Sequence, residues 1–130
     1  VAANKEQLAA IHRNKTGQLI SLCGKLGSLG CDLDEKQRNA IDVFFANTGL
    51  VFQIVDDILD VESSEEELGK PIGSDAENGK STFVTLYGLE NSKMQVKQLT
   101  EEANNLLKVH FGEKAEEIIA YTSKLAERKK

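Results

Sequence analysis

The sequence predicts an all-α fold. Three observations carry that expectation: a single proline in 130 residues, few β-branched alternations, and apolar residues that recur at three- and four-residue intervals along most of the chain. The chain is long enough for one domain, and a globule of this size buries roughly two-thirds of its unfolded surface. With 16 basic and 21 acidic residues its net charge is −5, which argues against a nucleic-acid binder, because such domains carry a basic face. Cys23 and Cys31 have no Cys-x-x-Cys spacing and no paired histidines nearby. They read as small apolar residues in a reducing, cytoplasmic setting rather than as a disulfide or zinc site. No signal peptide is visible, and the longest uncharged stretch, Val43 to Val55, is too short and too polar to span a bilayer.

The first helix is expected from Asn4 to about Cys23, with Leu8, Ile11, Leu19, Ile20 and Leu22 at helical spacing. Lys15 and Thr16 fall on or beside its inward stripe, and Gly17 costs up to ~1 kcal/mol against Ala in a helix. A glycine there lets the helix loosen and frees a backbone carbonyl to face a cavity. Gly24, Gly27 and Gly30 are then expected to break the pattern into a loop.

Asp34 is expected to cap the central helix, with Gln37 three residues on in the manner of a capping box. That helix runs to Val61. Ile41, Val43, Phe44, Phe45, Leu50, Val51, Phe52, Ile54, Val55, Ile58 and Leu59 point in nearly every direction, which describes a helix buried on most sides. At about 1.5 Å per residue it is about 42 Å long, against a radius of gyration of ~14 Å for a compact chain of this length. Such a helix needs more partners than this chain supplies, so a piece of a larger helical bundle is expected. Gly49 permits close approach of a neighbouring helix or substrate.

On this helix Gln53, Asp56, Asp57 and Asp60 share one narrow polar strip. In the last turns the macrodipole disfavours anions by ~0.3–1 kcal/mol per charge. Two carboxylates about 6 Å apart at an effective dielectric of 20 repel by roughly 3 kcal/mol. Divalent cations relieve both costs, and carboxylates completed by water and phosphate describe a substrate-bridging Mg²⁺ site. The alternative is a solvated acidic helix end.

Residues 62–81, with three glycines, the chain's single proline Pro71 and high charge, are expected as a loop containing at most a helical turn at Ser64–Leu68. Its length marks it as functional or disordered. Lys70 and Lys80 could bring ammonium groups to an anion beside the aspartates. Two motif matches fail. Gly73 to Gly79-Lys80-Ser81 has the wrong spacing for a phosphate-binding P-loop and no preceding strand. An EF-hand starting at Asp60 would need glycine and glutamate where Glu65 and Pro71 stand. Three amphipathic helices are expected at Ser81–Leu89, Ser92–Phe111 and Glu113–Lys130. Val96, Leu99, Ala103, Leu106, Leu107 and Val109 would share one packing face, His110 a helix end, and Arg128-Lys129-Lys130 a basic terminus that complements the dipole.

Phe52-Gln53-x-x-Asp56-Asp57-x-Leu59-Asp60, preceded by His12-x-x-Lys15-Thr16-Gly17 and followed by Gly69-Lys70-x-x-Gly73-Ser74-Asp75 and Gly79-Lys80-Ser81, closely resembles the C-terminal half of the trans-isoprenyl diphosphate synthases of short-chain bacterial type. The resemblance covers essentially the whole chain. It implies the C-terminal half of an isoprenoid-synthase-type helical bundle, residues 1–130 forming part of one prenyl synthase domain, homodimeric in the complete protein. It implies Mg²⁺, with Mn²⁺ as a possible substitute, bound by Asp56 directly and by Asp57 and Asp60 directly or through water. Lys15, Lys70 and Lys80 resemble the lysines that hold an allylic diphosphate. The Lys15 carbonyl, Thr16 and Gln53 resemble the dipoles that stabilise the allylic cation, which isopentenyl diphosphate then attacks. The family has an earlier Asp-Asp-x-x-Asp with paired arginines and an upstream Gly-Lys-Arg segment, neither of which occurs in this sequence. The expectation is therefore half an active site, inactive alone. A terpene cyclase-like enzyme and a non-catalytic partner subunit of a heteromeric prenyl synthase are the alternatives.

Overall fold

Every element of the computed structural model is helical among the residues it describes, which are 4–12, 16–68 and 82–128, without the side chains of residues 9, 12 and 64–68. In chain order they are α1 (Lys5–His12), α2 (Gln18–Ser28), α3 (Glu35–Leu68), α4 (Phe83–Tyr87), α5 (Leu89–Phe111), a 3₁₀ turn (Gly112–Ala115) and α6 (Glu116–Ala126). No described helix is long and apolar enough to cross a membrane.

Local chemistry accounts for most of the helix starts. Asp34 and Gln37 form the expected reciprocal cap, the Gln37 amide donating to Asp34 Oδ1 at 2.7 Å and the Asp34 amide to Gln37 Oε1 at 3.1 Å. Asn4 and Gln7 repeat the device ahead of α1, at 2.8 and 2.9 Å. Thr82 caps α4 by accepting from the Thr85 amide at 3.1 Å. Gly88 and Gly112, at φ 84° and 59°, end α4 and α5 in a conformation that side-chain-bearing residues rarely adopt.

Several boundaries differ from the sequence expectation. In the first segment α1 is described to His12, and Thr16 and Gly17 lie in a π-helical turn directly ahead of α2, where the sequence predicts an uninterrupted α-helix. The helix after that turn does not stop at Gly24 or Gly27 but continues to Ser28, and only Gly30, at φ 82°, ends the segment. Gly24 is helical because packing requires a glycine there: a Cβ would come within 2.5 Å of the Phe45 ring. The central helix runs to Leu68 instead of stopping at Val61. Nothing between Val61 and Gly69 breaks a helix, and the glutamates and leucine there favour one. The next helix begins at Leu89, three residues before the expected Ser92, and the last is shortened to Glu116–Ala126 by the 3₁₀ turn.

At 34 residues α3 is the axis of the fold. It packs most extensively against α5, and next against α2. Three apolar clusters lie along it. Phe44 meets Ala103, Leu107 and Ala115 near its start, Val51, Val55 and Leu59 form a second group, and Ile54, Ile58 and Val61 join Leu8, Phe83 and Val84 in a third. None of the eleven apolar positions read as buried on most sides is exposed. Val109, expected on the packing face of α5, is instead 78% exposed, as are Ile11, Leu19 and Leu22 at about half or more. Both cysteines are free and exposed, so neither serves as a buried apolar residue.

Candidate functional site

The two apolar clusters on the C-terminal half of α3, at residues 54, 58 and 61 and at 51, 55 and 59, cover adjacent faces of the helix. At about 100° per residue they leave one strip for Gln53, Asp56, Asp57 and Asp60. Gly49 belongs to the same strip, one turn below Gln53. It is there that α3 meets the π-helical turn. A Cβ on Gly49 would lie 3.0 Å from the Cα of Gly17, so the two backbones approach to a distance that only glycines allow. The contact brings the buried Gly17, the residue after the half-buried Thr16, to the foot of the polar strip. Two sequence motifs that lie more than thirty residues apart thus meet through a pair of glycines.

The strip is not uniform. Gln53 is only 5% exposed, and its side chain makes no hydrogen bond among the described residues. Leaving a buried amide unpaired costs about 1–3 kcal/mol, so such a group in a native fold calls for an explanation. Asp57 has one partner of clear function: its Oδ2 accepts from the Phe83 amide at 2.9 Å, satisfying one of the orphan donors at the start of α4. That bond ties the return of the chain after residue 81 to the aspartate turn. Asp60 is exposed at the rim. Asp56 is paired with Arg128, whose guanidinium also lies 4.1 Å above the Phe52 ring. Nearby, Lys93 on α5 holds Glu62 at 2.6 Å, and that carboxylate raises the ammonium pKa above its ordinary value.

These contacts change one premise of the sequence reading. Because α3 continues to Leu68, the aspartates lie two turns or more from its end. The macrodipole acts within the last turn, so it does not penalise them. What remains is mutual repulsion, and the Arg128 cation and the Phe83 amide offset part of it.

The donor set suits Mg²⁺ in kind. Asp56 keeps 46% of its side chain exposed despite its ion pair, and Asp60 stands one turn further along the same face. Hard carboxylate oxygens of this number hold Mg²⁺ together with water and phosphate. They do not make a closed cage: no group of three or more candidate ligands converges among the described residues. Of the residues singled out from sequence, Gln53, Asp56, Asp57 and Asp60 share one strip of α3, Thr16 lies in the turn whose Gly17 meets Gly49, and Lys15, Lys70 and Lys80 lie outside the described residues. Sequence reasoning took Arg128 only as a helix-end charge. Its partner is 72 residues away, and no local pattern signals the pairing.

Comparison with known proteins gives the family of the chain. The polyprenyl synthetase family model matches residues 1–121. The chain is 40% identical over 102 residues to the farnesyl diphosphate synthase of Bacillus subtilis, covering 78% of this chain and 34% of that protein. It is 39% identical over 123 residues to the geranylgeranyl diphosphate synthase of Cyanophora paradoxa, covering 95% and 41% respectively. The crystal structure of a geranyltransferase from Legionella pneumophila superposes with a TM-score of 0.78 at 28% identity, over 97% of this chain and 38% of that one. The chain spans about a third of the length of the curated relatives it matches. It belongs to the polyprenyl synthetase family, whose matched members are prenyl-transferring diphosphate synthases.

Proposed function

We propose that residues 1–130 form the C-terminal part of a prenyl synthase domain, supplying one wall of a site in which an allylic diphosphate is ionised and condensed with isopentenyl diphosphate. The observation that carries this reading is the polar strip itself. A buried Gln53 amide without a partner among the described residues sits between the Gly17–Gly49 contact and three carboxylates on an otherwise apolar helix. Asp56 and Asp60, with Asp57 behind them, are the residues that would hold Mg²⁺. Mg²⁺, or Mn²⁺ in its place, would supply Lewis-acid neutralisation of the charge that develops on the departing diphosphate.

The protein's own groups do the rest. Gln53, buried on the strip, would supply an amide dipole, and a fixed dipole stabilises an allylic cation far better than water-exposed groups do. Thr16 adds a second oxygen from the π-helical turn, and such turns free backbone groups from the helix ladder. Lys15, Lys70 and Lys80 would hold the diphosphate by charge. Asp57 fixes the start of α4 against the aspartate turn. These roles are binding and electrostatic, as a reaction driven by ionisation requires.

Cytoplasmic location and a homodimeric complete protein belong to the same proposal. The segments that resemble one half of the family's site are all in this chain, and those of the other half are not. The 130-residue chain incubated with Mg²⁺, geranyl diphosphate and labelled isopentenyl diphosphate is therefore expected to yield no prenyl product. The polypeptide carrying it together with the rest of the family fold is expected to yield product and to lose at least about a hundredfold on Asp56→Ala. Turnover by the isolated chain, or full activity of the Asp56→Ala enzyme, would refute the assignment.

A further inference from the structure

Arg128 stands just beyond α6, yet it is only 24% exposed, because its guanidinium is turned back onto α3. It makes three contacts there and one with α6. It pairs with Asp56 Oδ1, lies 4.1 Å above the centre of the Phe52 ring, donates through Nη2 to the Phe52 carbonyl at 3.4 Å, and through Nη1 to the Leu125 carbonyl at 3.1 Å. A cation thus already occupies the carboxylate that leads the aspartate strip.

Each anchor is of a kind that can be given up without leaving a buried group unsatisfied. The Phe52 carbonyl lies inside α3, where the helix ladder already supplies it with a donor, and the Leu125 carbonyl belongs to the last turn of α6, where water can replace the guanidinium. Asp56 is nearly half exposed, so it too can exchange one cation for another. Glu127 already has non-helical ψ of 0°, so Arg128 can swing away without unwinding α6. The stacked, planar guanidinium is pre-organised for its seat on Phe52.

We infer that Arg128 is a displaceable stand-in for the metal: its guanidinium pairs with Asp56 and must leave before a divalent cation can take that carboxylate. The inference rests on the metal reading of Asp56 given above. Arg128 is then a positioning residue that holds the Asp56 carboxylate until metal takes it, with an affinity cost for the metal.

A merely structural ion pair and a displaceable stand-in differ in the sign of one measurement. Mn²⁺ is titrated into the 130-residue chain and into its Arg128→Gln variant, with bound metal read by electron paramagnetic resonance and folding checked by circular dichroism. Removing the competitor is expected to tighten Mn²⁺ binding by about three- to tenfold, the range set by a half-buried ion pair reinforced by an aromatic face. Phe52→Leu, which removes the stacking seat but keeps both charges, is expected to shift binding in the same direction by less. Equal or weaker binding by Arg128→Gln, with the wild-type chain binding normally, overturns the displacement but leaves the metal site standing. Absence of Mn²⁺ binding in all three proteins overturns both.

Discussion

The two halves of α3 put the same helix to different uses. Around Phe44 the helix is closed on Ala103, Leu107 and Ala115, and Phe44 itself is 1% exposed. From Gln53 to Asp60 it carries equally buried apolar residues on two faces, yet keeps a third face polar. In the first half every contact lowers the free energy of the fold. In the second, three carboxylates share one face with a buried amide that has no partner among the described residues; Arg128 pairs with Asp56 and the Phe83 amide donates to Asp57. The difference teaches that burial alone does not decide what a helix face is for. The apolar clusters make the helix rigid enough to tolerate a strip that folding would not select.

The comparison breaks most easily at its stable end. Phe44→Ala is expected to lower unfolding stability by about 3–5 kcal/mol, the cost of a lost aromatic plus an unfilled cavity. Urea unfolding measures it, and a loss under about 1 kcal/mol would mean that this cluster is not the anchor of the helix. Asp57→Ala should cost less, about 0.5–2 kcal/mol, the usual price of losing a side-chain acceptor at a helix N-terminus. Its signature is local, with faster hydrogen exchange at the Phe83 amide, whereas Asp57→Asn should retain most of the protection because an acceptor oxygen remains. Unchanged exchange in Asp57→Ala would show that Thr82 alone secures α4.

Much of this was legible in the sequence. The all-helical class, the Asp34–Gln37 cap, the burial of α3 and the identity of its polar strip all follow from spacing and residue type. The path of α2 through Gly24 was not. Intrinsic propensity marks glycine as a breaker, and only the Phe45 ring against its missing Cβ explains why the helix continues. The end of α3 was misplaced because a run of charge at 62–68 reads as loop, although glutamate favours helix when no breaker intervenes. The meeting of Gly17 with Gly49 was legible only in part: each glycine signalled a close approach, but not to what. The Arg128–Asp56 pair was invisible, since a contact across 72 residues leaves no local trace.

The central claim is that the polar half of α3 is kept for a bound cation and diphosphate rather than for folding. It is tested most directly by unfolding the 130-residue chain in urea with increasing Mg²⁺ and inorganic pyrophosphate, alongside Asp56→Ala. Ligand that binds only the folded state adds about 1.4 kcal/mol at ten times its dissociation constant. The account predicts that rise in the wild-type chain and its loss in Asp56→Ala. A rise of the same size in both proteins, or none in the wild type, would contradict it.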